Sequence, residues 1–153
     1  MALTGRVLIL AGVLLVSRAS AQSDACALLT AAEVSQNLGV TVRQGVHIPE
    51  LSKITCGWSV SDPPKIDEPK VVVSIKTVDS FNTGKTPVPN IQKAPVSGVG
   101  DEAYSATVPP FGTTLSVRKG KTAFSVSARG TKLKLEQIQE LEKKLATLVL
   151  GRI

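Results

Sequence analysis

The chain has 153 residues, of which 42% are hydrophobic, and a formal net charge of +6 at pH 7. This length suits one domain with its own hydrophobic core. Only three Phe, one Trp and one Tyr occur, and they are spread along the chain. Because base-stacking surfaces need clustered aromatic rings, we do not expect nucleic-acid binding.

The first 21 residues are predicted to be a signal peptide. Arg6 supplies the positive charge, Val7 to Val16 form an unbroken apolar run of ten residues, and Ala19-Ser20-Ala21 has the small-x-small pattern of a cleavage site. The run is shorter than a membrane span, which needs about 20 residues, so an uncleaved anchor is the less favoured alternative. We predict cleavage between Ala21 and Gln22.

The predicted mature chain, residues 22–153, is expected to be a single secreted or periplasmic domain with no transmembrane segment. It retains 16 of the 18 basic residues and all 12 acidic ones, a net charge of +4. A lipoprotein is a further alternative, because Cys26 follows the apolar run closely. However, Ser23-Asp24-Ala25 is a poor match to the apolar and small residues that usually precede a lipidated cysteine. We therefore expect no lipid anchor.

A short strand carrying Trp58 is predicted to be the centre of the fold. The apolar side chains at positions 54, 56, 58 and 60 alternate with small or polar ones, which is the period of a strand with one buried face. This stretch contains the only Trp and one of the two Cys of the chain, Cys56.

The two cysteines of an exported chain are expected to pair with each other. A Cys26–Cys56 disulfide would attach the segment before the first helix to the Trp58 strand. The rival interpretation is a nucleophilic or metal-binding thiol. It is disfavoured because the chain has one His and no C-x-x-C motif.

Two helices are predicted, one near each end of the domain. Thr30 and Glu33 form a capping-box pattern and Gly39 occupies the position where a helix commonly ends, which predicts a helix at 31–38. A longer helix is predicted at 133–150. Its apolar stripe consists of Leu135, Ile138, Leu141, Leu145, Leu148 and Val149. Its polar side is expected to carry Glu136, Glu140, Glu142, Lys143 and Lys144.

The remaining segments read mainly as strands joined by turns. We predict strands at 40–43, 70–78 and 102–107, and a hairpin of 113–118 and 121–129 about Lys119-Gly120. The segment Ser80–Gly100, rich in Pro and Gly, is expected to be a long loop, with one turn of helix near Ser80–Asn82 as the alternative. The fold class that follows is α+β. A mostly antiparallel sheet of about five or six strands would pack against a short N-terminal and a long C-terminal helix.

No catalytic, metal or cofactor-binding residues are predicted. Ser116 and Lys119 have the Ser-x-x-Lys spacing, but on a strand they point to opposite faces. The same argument separates the adjacent carboxylates Asp101 and Glu102. His47 is expected to lie in a loop without companion ligands, and the glycines at 98 and 100 are expected to form a turn rather than an anion site.

One charge cluster is a candidate binding surface. Arg118, Lys119 and Lys121 crowd the tip of the predicted hairpin, and Arg129, Lys132 and Lys134 follow at its base. The tip is suited to an anionic partner. The plainer alternative is a solvated hairpin end.

Several short motifs resemble a family of small exported bacterial proteins. These are Asp24-Ala25-Cys26-x-Leu28-Leu29-Thr30, Cys56-x-Trp58, Val99-Gly100-Asp101-Glu102-Ala103-Tyr104 and Val117-Arg118-Lys119-Gly120. Many members are actinobacterial chains assigned as lipoproteins, grouped as a domain of unknown function. The resemblance implies an envelope protein with an α+β fold akin to PsbP-like domains, and it implies no reaction or cofactor. In that family a lipidated cysteine commonly precedes the first of these cysteines, and this chain has none upstream of Cys26.

The sequence therefore favours a non-enzymatic extracytoplasmic domain that binds a protein or an envelope component. The alternative is a small-molecule or lipid carrier with a pocket between the sheet and the C-terminal helix. An enzyme of unrecognised type is the third hypothesis. The oligomeric state is not predicted.

Overall fold

The computed structural model describes residues 24–153. Its elements are a 3-10 helix at Ala25–Ala27, α1 (Ala31–Leu38), β1 (Val46–His47), β2 (Thr55–Ser59), β3 (Lys70–Lys76), α2 (Val78–Gly84), β4 (Gln92–Pro95), β5 (Glu102–Val108), β6 (Gly112–Lys119), β7 (Thr122–Arg129) and α3 (Leu135–Leu150). The predicted signal peptide, with its cleavage site after Ala21, lies outside the described residues.

The strands form one seven-stranded sheet with the order β1-β2-β3-β7-β6-β5-β4. Every neighbouring pair is antiparallel. The predicted α+β class is therefore confirmed. The sheet has one strand more than the upper prediction, because each of its two edges carries a short strand that was not predicted, whereas the strand predicted at 40–43 does not form.

The main core lies between one face of the sheet and α3. Cross-strand pairs place Leu115, Val126 and Val73 in one row, and paired side chains of an antiparallel sheet share a face. These side chains are buried together with Trp58 and with Leu145 of α3. The helix α1 packs against α3, so both predicted helices contribute to this layer.

The opposite face of the sheet carries a second, smaller apolar cluster. Phe81 of α2 is fully buried against Tyr104 and Ala123, and the Phe81 and Tyr104 rings lie 5.2 Å apart between centroids. Next to it the row Ser74–Ser125–Ser116 presents hydroxyl groups on the same face. The sheet is therefore apolar toward α3 and largely polar toward α2.

The first helix forms as its local signals predict. The Glu33 backbone N–H donates to Thr30 Oγ1 at 3.2 Å, and the Thr30 N–H donates to Glu33 Oε2 at 2.8 Å. Gly39 ends the helix with a φ of 70°, in the left-handed region that glycine adopts without strain. The prediction of a helix at 31–38 is confirmed.

The disulfide between Cys26 and Cys56 is also confirmed, with 5.0 Å between the Cα atoms. It joins the 3-10 helix to β2 and lies in the core with the fully buried Trp58. The strand is shorter than predicted. Ile54 and Val60 lie beyond its ends and are partly solvent-exposed instead of facing the core.

The strand predicted at 40–43 is wrong, since the edge strand of the sheet is β1, Val46–His47. The Arg43 N–H donates to Ser59 O at 2.8 Å, so the chain runs beside the end of β2 without forming a ladder there. Pairing begins only where Val46 lies opposite Gly57. This register also moves His47 from the predicted loop into a strand.

The long loop predicted at Ser80–Gly100 is also wrong, although the alternative of a helical turn near Ser80–Asn82 falls within an observed helix. The segment contains most of α2 and the whole of β4. Thr77 caps α2 by accepting a hydrogen bond from the Ser80 N–H at 3.0 Å. The strand β4 pairs only with β5, and an edge position tolerates its Pro95, which has no N–H to donate.

Candidate functional site

The β6–β7 hairpin brings the three predicted cationic residues together at one end of the sheet. Lys119 pairs with Thr122, so Gly120 and Lys121 form the turn. Gly120 has a φ of 58°, which a first-position glycine in a two-residue hairpin turn supplies without strain. Arg118 approaches the Glu102 carboxylate at 3.4 Å, whereas Lys119 and Lys121 form no ion pair with any described residue.

The Gly100-Asp101-Glu102 segment holds this hairpin end in place. A Cβ at Gly100 would lie 2.6 Å from Arg118 O, so only glycine allows the two backbones to approach this closely. The Asp101 N–H donates to Arg118 O at 2.9 Å, and the Asp101 carboxylate accepts from the Gly120 N–H at 2.7 Å. Gly100 and Asp101 therefore have a structural role at this end of the sheet.

Glu102 ties the same region to α2. Its carboxylate lies 2.7 Å from Lys85 Nζ and 3.4 Å from Arg118. The hydrogen bond from Lys85 lowers the pKa of Glu102, with a smaller contribution from Arg118. Arg118 is consequently the least available of the three tip cations, and the charge open to a partner resides mainly on Lys119 and Lys121.

An open depression of about 560 Å³ lies beside the hairpin tip. Lys76, Asp79 and Lys121 are among the residues that line it. Lys76 is half-buried, and burial lowers its pKa. With two lysines and one carboxylate, the depression has a positive balance of charge.

The Ser-x-x-Lys spacing does not form a catalytic pair. Lys119 lies at the exposed end of β6, while Ser116 is only 2% exposed within the sheet. The lysine that does reach Ser116 is Lys76, whose Nζ lies 3.5 Å from Ser116 Oγ. Because Ser116 is buried, a substrate cannot reach its hydroxyl in this conformation.

His47 lies beside the disulfide and contacts Asp24. Its Nε2 is 2.7 Å from Asp24 Oδ1, which also accepts from the Cys26 N–H at 2.9 Å. The hydrogen bond from His47 is the main cause of the lowered pKa of Asp24. Cys26 Sγ is close enough to complete a three-ligand metal cluster, but it is bonded to Cys56 and cannot act as a thiolate ligand.

A second cavity lies between α3 and the strands β4, β5 and β6. Its volume is about 220 Å³, and its lining includes Ser105 and Leu115 from the sheet, Val96 just after β4, and Glu142 from the helix. Typical small-molecule sites have volumes of about 300–1,000 Å³. The cavity therefore suits a ligand of a few heavy atoms, or one group of a larger molecule.

Glu142 is the residue at which the sequence prediction was wrong in a consequential way. We expected it on the polar side of the last helix, but it is fully buried against the sheet. Its Oε1 accepts a hydrogen bond from the Ala128 N–H at 3.0 Å, and its Oε2 has no partner among the described residues. Burial raises the pKa of Glu142 to about 8.

The spacing along the helix contained the signal for this position. Residue 142 follows Ile138 by four and precedes Leu145 by three, so it lies within the inward-facing stripe. Charged residues are almost never fully buried unless they are paired. That rule favours placing Glu142 on the polar side of the helix, which is wrong.

Comparison with protein-family models, with curated proteins and with solved structures finds no match for this chain. Within residues 24–153, no helix has both the length and the apolar composition that crossing a membrane requires. The molecule is thus defined by its own features: a disulfide-bonded α+β domain with a cationic hairpin end and a small cavity under its last helix.

Proposed function

We propose that the protein is an exported, non-enzymatic binding domain whose β6–β7 hairpin end contacts an anionic component of the cell envelope. The observation that carries this proposal is the difference in ion pairing among the three cations at the hairpin tip. Arg118 shares the Glu102 carboxylate with Lys85, but Lys119 and Lys121 keep their charges exposed at a turn that Asp101 fixes in place. A fixed cationic turn attracts an anionic surface without first having to order a flexible loop.

Two further features support this function. The Cys26–Cys56 disulfide is compatible with an oxidising, extracytoplasmic location. The depression next to the tip adds Lys76 to the same positive region. An anionic group that contacts Lys121 would therefore also come under the influence of the Lys76 charge.

The test is co-sedimentation with isolated cell envelope of the host, using the double variant Lys119→Glu/Lys121→Glu. Arg118 is left unchanged, because its removal would also take away one of the two cations beside the Glu102 carboxylate. We expect the variant to lose most of its binding, and the binding of the unmodified protein to weaken as salt is raised.

The matched control is Lys132→Glu/Lys134→Glu. These two exposed lysines follow β7 at its far end and give the same change in net charge. The control is expected to bind nearly as well as the unmodified protein. Equal binding by all three proteins, or equal loss in both variants, would remove the hairpin tip as the contact surface.

A second candidate function is that of a small-molecule carrier, and the cavity beneath α3 is the observation that favours it. Glu142 is among the residues that line that cavity, and one of its buried carboxyl oxygens has no partner among the described residues, although buried polar groups normally have partners. Native mass spectrometry of protein isolated from its host tests this function. A bound small molecule is expected, whereas protein free of any ligand would count against a carrier.

A further inference from the structure

The most unusual group in the described chain is the Glu142 carboxyl at the cavity under α3. The helix lies over β6 and β7, while the cavity opens toward β4 and β5, where the helix leaves the sheet uncovered. Glu142 therefore lies at the boundary between the packed core and the cavity. It is one of the residues that line the cavity, but its side chain has no surface open to water, either from the bulk or from the cavity.

One oxygen of Glu142 has a structural role. The pairing of β6 with β7 begins at Leu115–Val126, and beyond Val126 the Ala128 N–H has Glu142 Oε1 as its acceptor. A glutamine would supply the same acceptor oxygen without the cost of burying an ionisable group. The hydrogen bond to Ala128 therefore explains why residue 142 has an acceptor oxygen, but it does not explain why the residue is ionisable.

The other oxygen has no partner, and no basic side chain neutralises it. Lys143 is on the same helix and lines the cavity, but its Nζ lies 3.3 Å from the Glu140 carboxylate. Arg129 influences Glu142 only through longer-range attraction, and its side chain is exposed. If Glu142 ionises, its negative charge is therefore left without a close counter-ion among the described residues.

We propose that this cavity binds a small organic cation, an alkylammonium group, whose charge pairs with the free oxygen of Glu142. Because that oxygen has no exposed surface in this conformation, the Glu142 side chain must turn toward the cavity when the ligand binds. The apolar side chains of Pro95, Val96 and Leu115 would contact the carbon atoms of the ligand. The fold has already removed the carboxyl from water, so the ligand does not bear that part of the desolvation cost. This inference rests on the second candidate function, the carrier, and is independent of the hairpin end.

Burial of Glu142 links the binding of a cation to the release of a proton. The acid is largely protonated below pH 8, because burial raises its pKa to about 8. The cation binds the ionised form, so each bound ligand displaces one proton over this range. The affinity for an alkylammonium ion is therefore expected to rise about tenfold for each pH unit between roughly pH 6 and pH 8.

The experiment is a nuclear magnetic resonance titration of isotope-labelled protein with propylammonium chloride. Propanol is the neutral ligand of similar size, and sodium chloride controls for ionic strength. We expect saturable shifts at the Ala128 amide and at Ser105, and a fall in the titration midpoint of the Glu142 carboxyl carbon. Propanol is expected to bind at least tenfold more weakly.

Two matched variants separate charge from shape. Glu142→Gln keeps the acceptor for Ala128 but cannot ionise, so we expect at least a tenfold loss of propylammonium affinity. Glu136→Gln removes one charge from an exposed position on the same helix outside the cavity lining, and it is expected to keep the affinity within about threefold. The amide spectrum of each variant reports whether it folds. If Glu142→Gln does not fold, the shift of the Glu142 midpoint in the unmodified protein decides.

Two results would overturn the inference, and they differ in whether the carrier function is also rejected. Equal binding of propanol and propylammonium, retained in Glu142→Gln, would preserve the carrier function but contradict a cation site. No saturable shift with either ligand, together with an unchanged Glu142 midpoint and ligand-free protein from the host, would reject both.

Discussion

The Asp101 carboxylate accepts a hydrogen bond from the backbone N–H of Gly120 at 2.7 Å, across 19 residues of sequence. Through this contact the segment that enters β5 fixes the turn between β6 and β7. The turn carries Lys121, and Lys119 precedes it. The geometry of the proposed contact surface therefore depends on a residue that need not touch the partner.

Replacing Asp101 with Ala is expected to lower the free energy of unfolding by roughly 1 kcal/mol, because an exposed hydrogen bond to a charged acceptor is lost. Asp101→Asn retains an acceptor oxygen and should lose less than half as much. Urea denaturation measures both values. If Asp101→Ala is as stable as the unmodified protein, the carboxylate does not hold the turn.

The C-terminal arginine Arg152 is predicted to control the ionisation of Glu33. Arg152 Nη2 lies 2.6 Å from Glu33 Oε1, and this hydrogen bond is the largest cause that lowers the pKa of Glu33 to about 2. A carboxyl with a lowered folded-state pKa stabilises the protein above its unfolded pKa of about 4.5, and this contribution is lost as the pH falls toward 2.

In Arg152→Gln, the pKa of Glu33 is expected to rise toward its usual value, while Thr30 still lowers it through the capping box. The free energy of unfolding at pH 7 should fall by about 1 kcal/mol. Carboxyl carbon titration and urea denaturation measure the two effects. Lys144→Gln, an exposed change on α3, is the control. A Glu33 pKa unchanged in Arg152→Gln would show that the ion pair is not the cause.

The elements that the sequence predicts well are those whose signals are local. The helix α1 begins after its cap Thr30 and ends at Gly39, and both signals lie at the ends of the helix itself. The alternation around Trp58 and the hairpin about Gly120 are likewise short-range patterns. Because these segments need little tertiary context to adopt their conformation, their bounds are close to those predicted.

The missed elements depend on distant partners. The helix α2 has one fully buried side chain, Phe81, and its packing surface is supplied by Tyr104 and Ala123. The strand β4 is a strand only because β5 lies next to it. Neither short segment has a strong pattern of its own, so its conformation follows from the assembled sheet.

The cavity under α3 was predictable in place but not in chemistry. A pocket between the sheet and the last helix follows from an amphipathic helix that covers only part of a wide sheet. The buried carboxyl was not predicted, because Glu is a residue type usually found in contact with water. The spacing of Glu142 along the helix, however, is that of a core residue. The structure confirms that residue 142 faces the core, as its spacing indicates, and burial raises the pKa of its carboxyl.

The disulfide is expected to provide a large part of the stability. It joins residues 30 apart in sequence, and closing a loop of that size contributes about 3–4 kcal/mol in the chain-entropy description. We expect Cys26→Ala/Cys56→Ala to lose roughly that free energy of unfolding. The only Trp, Trp58, is fully buried beside the bridge, so its fluorescence can follow urea unfolding. A loss below about 1 kcal/mol would contradict this role.

The last prediction concerns the dependence of stability on pH that Glu142 imposes. Its folded-state pKa, about 8, lies above the unfolded value of about 4.5, so the folded protein binds more protons than the unfolded chain between these limits. The stabilising contribution of the protonated form is complete below pH 4.5, declines as the pH rises, and is lost above pH 8. The expected decline is on the order of a few kcal/mol.

Glu142→Gln should abolish most of this decline, since the amide cannot ionise but still accepts from Ala128. The variant is expected to be more stable than the unmodified protein at pH 8 and to differ little from it at pH 5. Urea denaturation at half-unit pH steps measures both curves, with Glu136→Gln as the exposed control. Parallel curves for the unmodified protein and Glu142→Gln would mean that this carboxyl is ionised in the folded state near neutral pH, with a counter-charge close to its free oxygen.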